Sequence, residues 1–412
     1  MNSFAAGLVL MTALLRIWLE LRQRACLVRQ RGQPPPAWTD AASQQRTIDG
    51  ALIRGRITLL GVIAEAAVAL LFAVAGIAAM AQSELMASVP PAALAVALSV
   101  LVLLSLGAVR RGVEAANVYV VDAALGLGRP GVRLFLSDTA TRIAVLSIVV
   151  APLLVAAAAL IERQVPLWWL LAWAVWLMLM TLDSALRPLV QTRLLYSAIP
   201  LPDPSLVARI EELLGRCGLK LGHVQVLDAS RRTRRANASV HGLGRRKHIY
   251  LHDTLLDRLG SEEVLAVVAH EAGHARHGHV LKALAGLGML GLCAAAGVWL
   301  MGDRLGLETP EKVPLIALLM PSLGFLVRPI VFGLSRRFEY EADAFAASHV
   351  GAPAMMRALE RLYVDNAGVP ESDPLYAAFH ASHPGPSQRL GRLTQISTGG
   401  RRACQVNTGP PT

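Results

Sequence analysis

Apolar residues in this chain come in long blocks rather than in the short periodic stripes of a soluble protein. The blocks run over residues 4–19, 57–80, 92–109, 143–161, 167–182, 280–301 and 313–334. Each is close to the roughly 20 residues that a helix needs to cross a bilayer. The pattern predicts seven membrane spans. The first lacks a basic leading region and a small-residue cleavage site, so it reads as a retained span and not as a removed signal peptide. Trp168 and Trp169 open the fifth block, where an interfacial belt places aromatic rings.

Between residues 200 and 260 the pattern changes. Pro200 to Ser205 is a linker ending in an N-cap residue, and Leu206, Ile210, Leu213 and Leu214 make one face of an amphipathic helix that stops at Gly218. Residues 223–227 and 247–251 alternate as strands, with turns at Gly242 and Gly244, which predicts a small β-meander. Ser261-Glu262-Glu263 reads as an N-cap followed by acids, opening a helix that continues past Val280 into the sixth span. The fold class is therefore mainly α. A five-span membrane region over 1–200 precedes a domain over 201–393 that joins a small α+β part to the spans at 280–301 and 313–334, and residues 394–412 form a disordered tail.

Composition agrees: 54% of the 412 residues are hydrophobic and 17% charged. The net charge of +11 comes mostly from arginine. Its distribution over alternate loops marks topology, and no nucleic-acid motif accompanies it. Arginines crowd the segment after the first span, the third loop and the stretch after residue 183, while the loop at Ser83-Glu84 has none. The positive-inside rule then puts the N-terminus outside and the domain after residue 183 in the cytoplasm. The Ala- and Arg-rich composition points to a bacterial inner membrane. Arg16, Glu65 and Arg328 fall at membrane depth. Arg16 is expected to snorkel, and the other two to face an internal polar cavity. Cys26, Cys217, Cys293 and Cys404 lie far apart and make neither a metal set nor a disulfide framework.

The chemistry sits at His270-Glu271-Ala272-Gly273-His274. Histidines four apart share a helix face, so two imidazoles can hold one Zn2+, and Glu271 can act as general base toward a water at its open position. The plain alternative is a charged surface helix; the apolar run over 264–268 favours a buried site. His277 lies about 10 Å along the axis from His270 at 1.5 Å per residue, too far to share one ion with it. A metzincin would carry Gly at 277 and His at 280, where this chain has His277 and Val280. Glu339, on the helix after the seventh span, is the better third ligand. Asp343, four residues on, can hold a ligand imidazole through its second nitrogen, while Glu341 points away. By itself Asn237 reads as a turn residue.

His270-Glu271-Ala272-Gly273-His274 with Gly278-His279, then Glu339-Tyr340-Glu341-Ala342-Asp343, then His380-Ala381-Ser382-His383-Pro384 and Arg389-Leu390, resemble the type 1 CAAX prenyl endopeptidases. Arg22-Gln23 after the first span and the five leading spans fit as well. The resemblance implies a barrel of seven membrane helices around a water-filled chamber, with a zinc site at its cytoplasmic end. It implies that His270, His274 and Glu339 bind one Zn2+ and that Glu271 is the base. It also implies that Asn237 lies on a substrate-holding edge strand, and that His383 and Arg389 line the cleft. His383 would stabilise the oxyanion; the alternative is a turn histidine before Pro384.

The expected function is hydrolysis of peptide bonds in a peptide or lipidated protein at the membrane lipid, with no nucleic-acid partner. In a bacterium the expected substrate shifts to a lipoprotein-like or misfolded membrane polypeptide. Two other readings compete: a broad quality-control protease, and a non-enzymatic channel or scaffold that kept the fold.

Overall fold

A computed structural model describes residues 2–77, 88–163, 165, 167–242, 244–304 and 309–406. Ser83-Glu84 and the final residues of the tail lie outside the described residues. The N-terminal region holds helices α1 (Asn2–Gln30), α2 (Ala41–Leu71), α3 (Pro91–Ala116), α4 (Val132–Glu162) and α5 (Trp168–Val190). Strand β1 (Ala198–Pro200), helix α6 (Pro204–Arg216), strands β2 (Lys220–Leu227), β3 (Ala238–His241) and β4 (Arg246–His252), and the short α7 (Asp253–Leu256) follow. The chain then runs through α8 (Ser261–Arg276), α9 (His279–Arg304), α10 (Thr309–Val350), α11 (Ala352–Asp365), α12 (Pro374–His380) and α13 (Pro386–Val406).

Among the described residues, seven helices are long and apolar enough to cross a membrane. They cover Ser3–Gln30, Ala41–Val74, Pro91–Asp122, Val132–Glu162, Trp168–Leu186, His279–Leu300 and Glu311–Val350. These bounds exceed the apolar runs because the helices carry on into their polar flanks. Large apolar side chains stay exposed on them, Ile148 and Leu281 at 73% and Leu60 at 69%, as lipid-facing residues do.

The polar cluster inside the bundle differs from expectation at two residues, Arg16 and Arg328. Arg16 does not snorkel: its Nη1 lies 2.6 Å from Glu65 Oε2. Arg110 binds the other oxygen of Glu65. A carboxylate between helices α1 and α3 keeps both guanidiniums inward, because an unpaired charge at that depth is costly. Thr12 and Ser322 share the small cavity beside this cluster. Arg328 instead lies over the Phe325 and Phe332 rings.

The sheet is not a meander. Its order is β1-β2-β4-β3, with β2 and β4 parallel and β3 antiparallel to β4 at the edge. Alternation told which residues face the core, but the chain passes from β2 to an outer strand and returns between them. Val224, Val226, Ile249 and Leu251 pack with α6 and α8 in one core. Helix starts also shift. Asp203, not Ser205, caps α6, accepting from Ser205 N and Leu206 N. Gly260 precedes α8, and the Glu263 carboxylate returns to Gly260 N at 2.9 Å. The helix of the histidine motif does not run into the sixth span. It ends at Arg276, and Gly278, at φ +64°, turns the chain before α9. Helix α13 is anchored on the protease domain by buried Leu390 and Leu393.

Candidate active site

Helix α8 carries His270 and His274 on one face, and α10 crosses it closely. A Cβ added at Gly273 would stand 3.1 Å from Ala342 Cα and 3.2 Å from Phe345 Cβ. The glycine in the motif thus lets the two helix backbones approach. That approach brings Glu339 and Asp343, one turn apart on α10, up to the histidines.

His270 Nε2 and His274 Nε2 are 3.2 Å apart. Glu339 Oε2 is 3.5 Å from the first and Oε1 is 3.4 Å from the second. A tetrahedral ion with bonds of about 2.0–2.1 Å needs ligand atoms about 3.3 Å apart. The triangle has that size, and these three residues form the one such metal-ligating group among the described residues. Buried Glu339 Oε2 also lacks a hydrogen-bond partner, as a ligand oxygen reserved for a cation does. The donors fit a metal ion.

Each imidazole is oriented through its other nitrogen. His270 Nδ1 lies 3.0 Å from Asp343 Oδ1. Asp343 is fixed in turn by buried Arg389, whose Nε and Nη2 donate to its two oxygens at 2.8 and 2.6 Å. His274 Nδ1 lies 2.9 Å from His279 Nδ1, and His279 Nε2 lies 3.0 Å from Glu341 Oε2. Proton bookkeeping along this line is consistent: a proton on His274 Nδ1 and another on His279 Nε2 leave His274 Nε2 free as a ligand. Glu341 does point away from Glu339, but it anchors the second imidazole. His279 is 3% exposed and stacks on Phe338 at 4.2 Å. Its role escaped the reading of spacing along a continuous helix; the preceding Gly278 was the available signal.

Burial disfavours the His270 imidazolium, yet the facing Asp343 and Glu339 carboxylates outweigh it and raise the group to about 9. The site therefore favours positive charge. Burial pushes Glu271 above the ordinary carboxylate range, against the opposing pull of His270 and His274. A carboxylate raised in this way is better matched to taking a proton near neutral pH.

One cavity of about 470 Å³ is lined by His270, Glu271, Glu339, Asn237, His383 and Arg389. His383 is exposed to it, with Nε2 at 3.3 Å from Glu339 Oε1. Arg389 reaches the wall; its Nε and Nη2 are committed to Asp343, and its Nη1 lies 3.5 Å from Glu339 Oε2. Asn237 directly precedes β3; its carbonyl accepts from His252 N at 3.0 Å and its side chain accepts from Ala238 N at 3.0 Å. Arg22-Gln23 has a structural part here. Arg22 pairs with Asp373, and Gln23 Oε1 accepts from Asp373 N at 2.8 Å. Asp373 caps α12, so the first membrane helix holds the segment that leads to His383.

A metal triangle, an adjacent carboxylate and a strand edge, carried by a bundle of membrane helices, define a membrane-embedded metalloprotease. Comparison with known proteins gives the family. Residues 200–397 match Peptidase family M48, and residues 24–195 match the CAAX prenyl protease N-terminal region of five membrane helices. The chain belongs to the type 1 CAAX prenyl endopeptidases of family M48. A CAAX prenyl protease 1 homolog of Oryza sativa subsp. japonica is 29% identical over 300 residues, covering 67% of this chain and 68% of the relative. The metalloprotease YhfN of Bacillus subtilis (strain 168) is 30% identical over 249 residues, covering 56% and 57%. The crystal structure of S. mikatae Ste24p superposes with a TM-score of 0.84 at 21% identity, over 95% of this chain and 98% of that one. That likeness speaks to the fold.

Proposed function

We propose that this enzyme is a zinc endopeptidase that trims the C-termini of lipidated proteins at the cytoplasmic face of a bacterial inner membrane. The observation that carries the reading is the triangle of 3.2–3.5 Å between His270, His274 and Glu339, with Glu271 in the same cavity. Two imidazoles and a carboxylate suit one zinc ion. When bound, that ion supplies Lewis acidity toward the scissile carbonyl and acidifies the attacking water. Glu271 takes the proton from that water and delivers it to the leaving nitrogen. Exposed His383 donates to the oxygen on which charge develops. Asn237 and β3 hold the peptide by main-chain hydrogen bonds, since β3 is a sheet edge. We assign Arg389 to positioning Asp343, and through it His270, rather than to substrate. Residues 1–200 form the membrane region in this reading, and 201–393 the protease domain. The arginines that follow the first, third and fifth spans, and Arg336-Arg337 after the seventh, support the cytoplasmic side.

The test is cleavage of a farnesylated peptide and its bare counterpart by detergent-purified enzyme, with Glu271→Gln as control. Selective cutting of the lipidated peptide, lost in Glu271→Gln with zinc still bound, is the expected result. Equal cutting of both peptides would point to a broader membrane protease. An active Glu271→Gln enzyme would reject the assignment of the base.

A further inference from the structure

The catalytic cavity has a second charged end. Arg54, from α2, and Arg235, from the loop before β3, both line it. Arg54 Nη2 donates to Asp122 Oδ1 at 2.6 Å, and Arg235 Nη2 donates to the same oxygen at 2.9 Å. Among the described residues, Asp122 is the only acid bonded to either arginine. Two guanidiniums thus share one carboxylate, which leaves a formal surplus of one positive charge. The groups are not sealed away: the side chains are 39% and 34% exposed, against 17% for Asp122. Each guanidinium has five N–H donors. Arg54 spends one on Asp122, and Arg235 spends a second on Asn366 O at 3.1 Å. Unspent donors and net charge on a cavity wall make a receptor for an oxyanion.

The strand edge says which oxyanion. At the start of the edge, Asn366 occupies Ala236, with Oδ1 accepting from Ala236 N at 3.0 Å and Nδ2 donating to Ala236 O at 3.2 Å. The asparagine amide thus stands where another strand would pair and closes the edge at that point. Asn237 Oδ1 likewise takes Ala238 N at 3.0 Å, so an added peptide is left with the strand beyond Ala238. Antiparallel pairing is the commoner kind in sheets. A peptide antiparallel to β3 runs from the His241 end toward Ala238, so its C-terminus leads toward Asn366, Arg235 and Arg54.

We propose that Arg54 and Arg235 form a subsite for the free α-carboxylate of the peptide substrate, so that the enzyme selects bonds near a C-terminus. Asp122 holds the two guanidiniums together. The inference deepens the endopeptidase reading above and rests on it.

The experiment uses full-length enzyme in detergent and a farnesylated peptide with a fluorescent N-terminus, ending either in a free carboxylate or in a carboxamide. Binding is measured by anisotropy on Glu271→Gln enzyme, and cleavage on enzyme with Glu271 intact. A charge-assisted contact of this kind corresponds to about tenfold or more in preference for the carboxylate form. That preference is expected in both assays. It should collapse toward unity in Arg235→Gln and, as a second variant on a different element, in Arg54→Gln. Zinc content reports whether each variant is folded. Equal binding of the two forms, or a preference that survives both substitutions, would overturn the subsite. Selective binding without any cleavage would leave the subsite standing and remove the endopeptidase reading. Normal cleavage without carboxylate preference would do the reverse.

Discussion

Arg389→Met separates a positioning arginine from a substrate-binding one. Arg389 is 6% exposed and Asp343 3%, and two hydrogen bonds of 2.8 and 2.6 Å join them. Methionine keeps much of the volume but leaves the Asp343 carboxylate buried with only His270 Nδ1, at 3.0 Å, as partner. Breaking a buried pair from one side costs about 3–5 kcal/mol. The remaining imidazole offsets part of that, so a loss near the lower bound, about 3 kcal/mol, is expected. Asp343 faces the second nitrogen of His270, a ligand in the proposed site, and loss of such outer support costs about 10–100-fold in metal affinity. Asp343→Asn combined with Arg389→Met removes the stranded charge, so the double variant should be less destabilised than the sum of the singles by more than about 1 kcal/mol. The assays are thermal unfolding of metal-free and zinc-loaded enzyme at one scan rate, and zinc competition with a chelator. A loss under about 1 kcal/mol with unchanged zinc retention would refute the reasoning. A rise in KM alone would return Arg389 to the substrate.

Two further outcomes are expected. Gly273→Ala places a methyl at 3.1–3.2 Å from Ala342 and Phe345 and forces α8 and α10 apart. Overpacking of this kind costs about 1–3 kcal/mol, and zinc retention should fall with it, because the ligand triangle spans both helices; unchanged zinc retention would show that the close crossing is not what positions Glu339. Stability should also fall in acid. Burial, with the Arg328 and Arg16 charges adding and the Tyr376 carbonyl opposing, pushes His380 down to about 4, and burial also lowers His252. Since the folded His380 value lies below the ordinary 6.5, at that residue the unfolded chain binds more protons between pH 6.5 and 4. The contribution of neutral His380 is whole above that window and is lost as pH falls through it, by at most about 1.4 kcal/mol per pH unit. Thermal unfolding of metal-free enzyme at pH 7.5 and 5, with and without His380→Gln, checks this; the same acid loss in both would exclude His380 as a source.

What was legible in the chain was what a single helix decides. His270 and His274 share a face because of their spacing, and so do Glu339 and Asp343. Seven spans followed from run length alone. What failed depended on a second element. The snorkelling assigned to Arg16 treated one charge in isolation, whereas Glu65 and Arg110 reach it from neighbouring helices. Alternation in β2 and β4 identified the buried face but not the partner strand, so their parallel pairing across the outer β3 was out of reach.

His279 joins the two kinds of inference. On an unbroken helix, His279 would stand five residues from His274 and face elsewhere. The turn at Gly278, with φ +64°, re-aims it so that Nδ1 meets His274 Nδ1 at 2.9 Å. Its other nitrogen then meets Glu341, which a single-helix argument had turned away from the site. A glycine directly before a histidine, close after a metal motif, is thus a readable sign of a chain break that returns a side chain to the ligand. The two histidines of the proposed metal site are held by different means. His270 depends on a carboxylate that a buried arginine fixes, and His274 on a neutral imidazole that a half-exposed Glu341 fixes. Substitution at Glu341 therefore strands no buried charge, whereas substitution at Arg389 does. The two halves of one metal site should consequently differ in what they cost when broken: the His270 side in fold stability together with metal affinity, the His274 side in metal affinity alone.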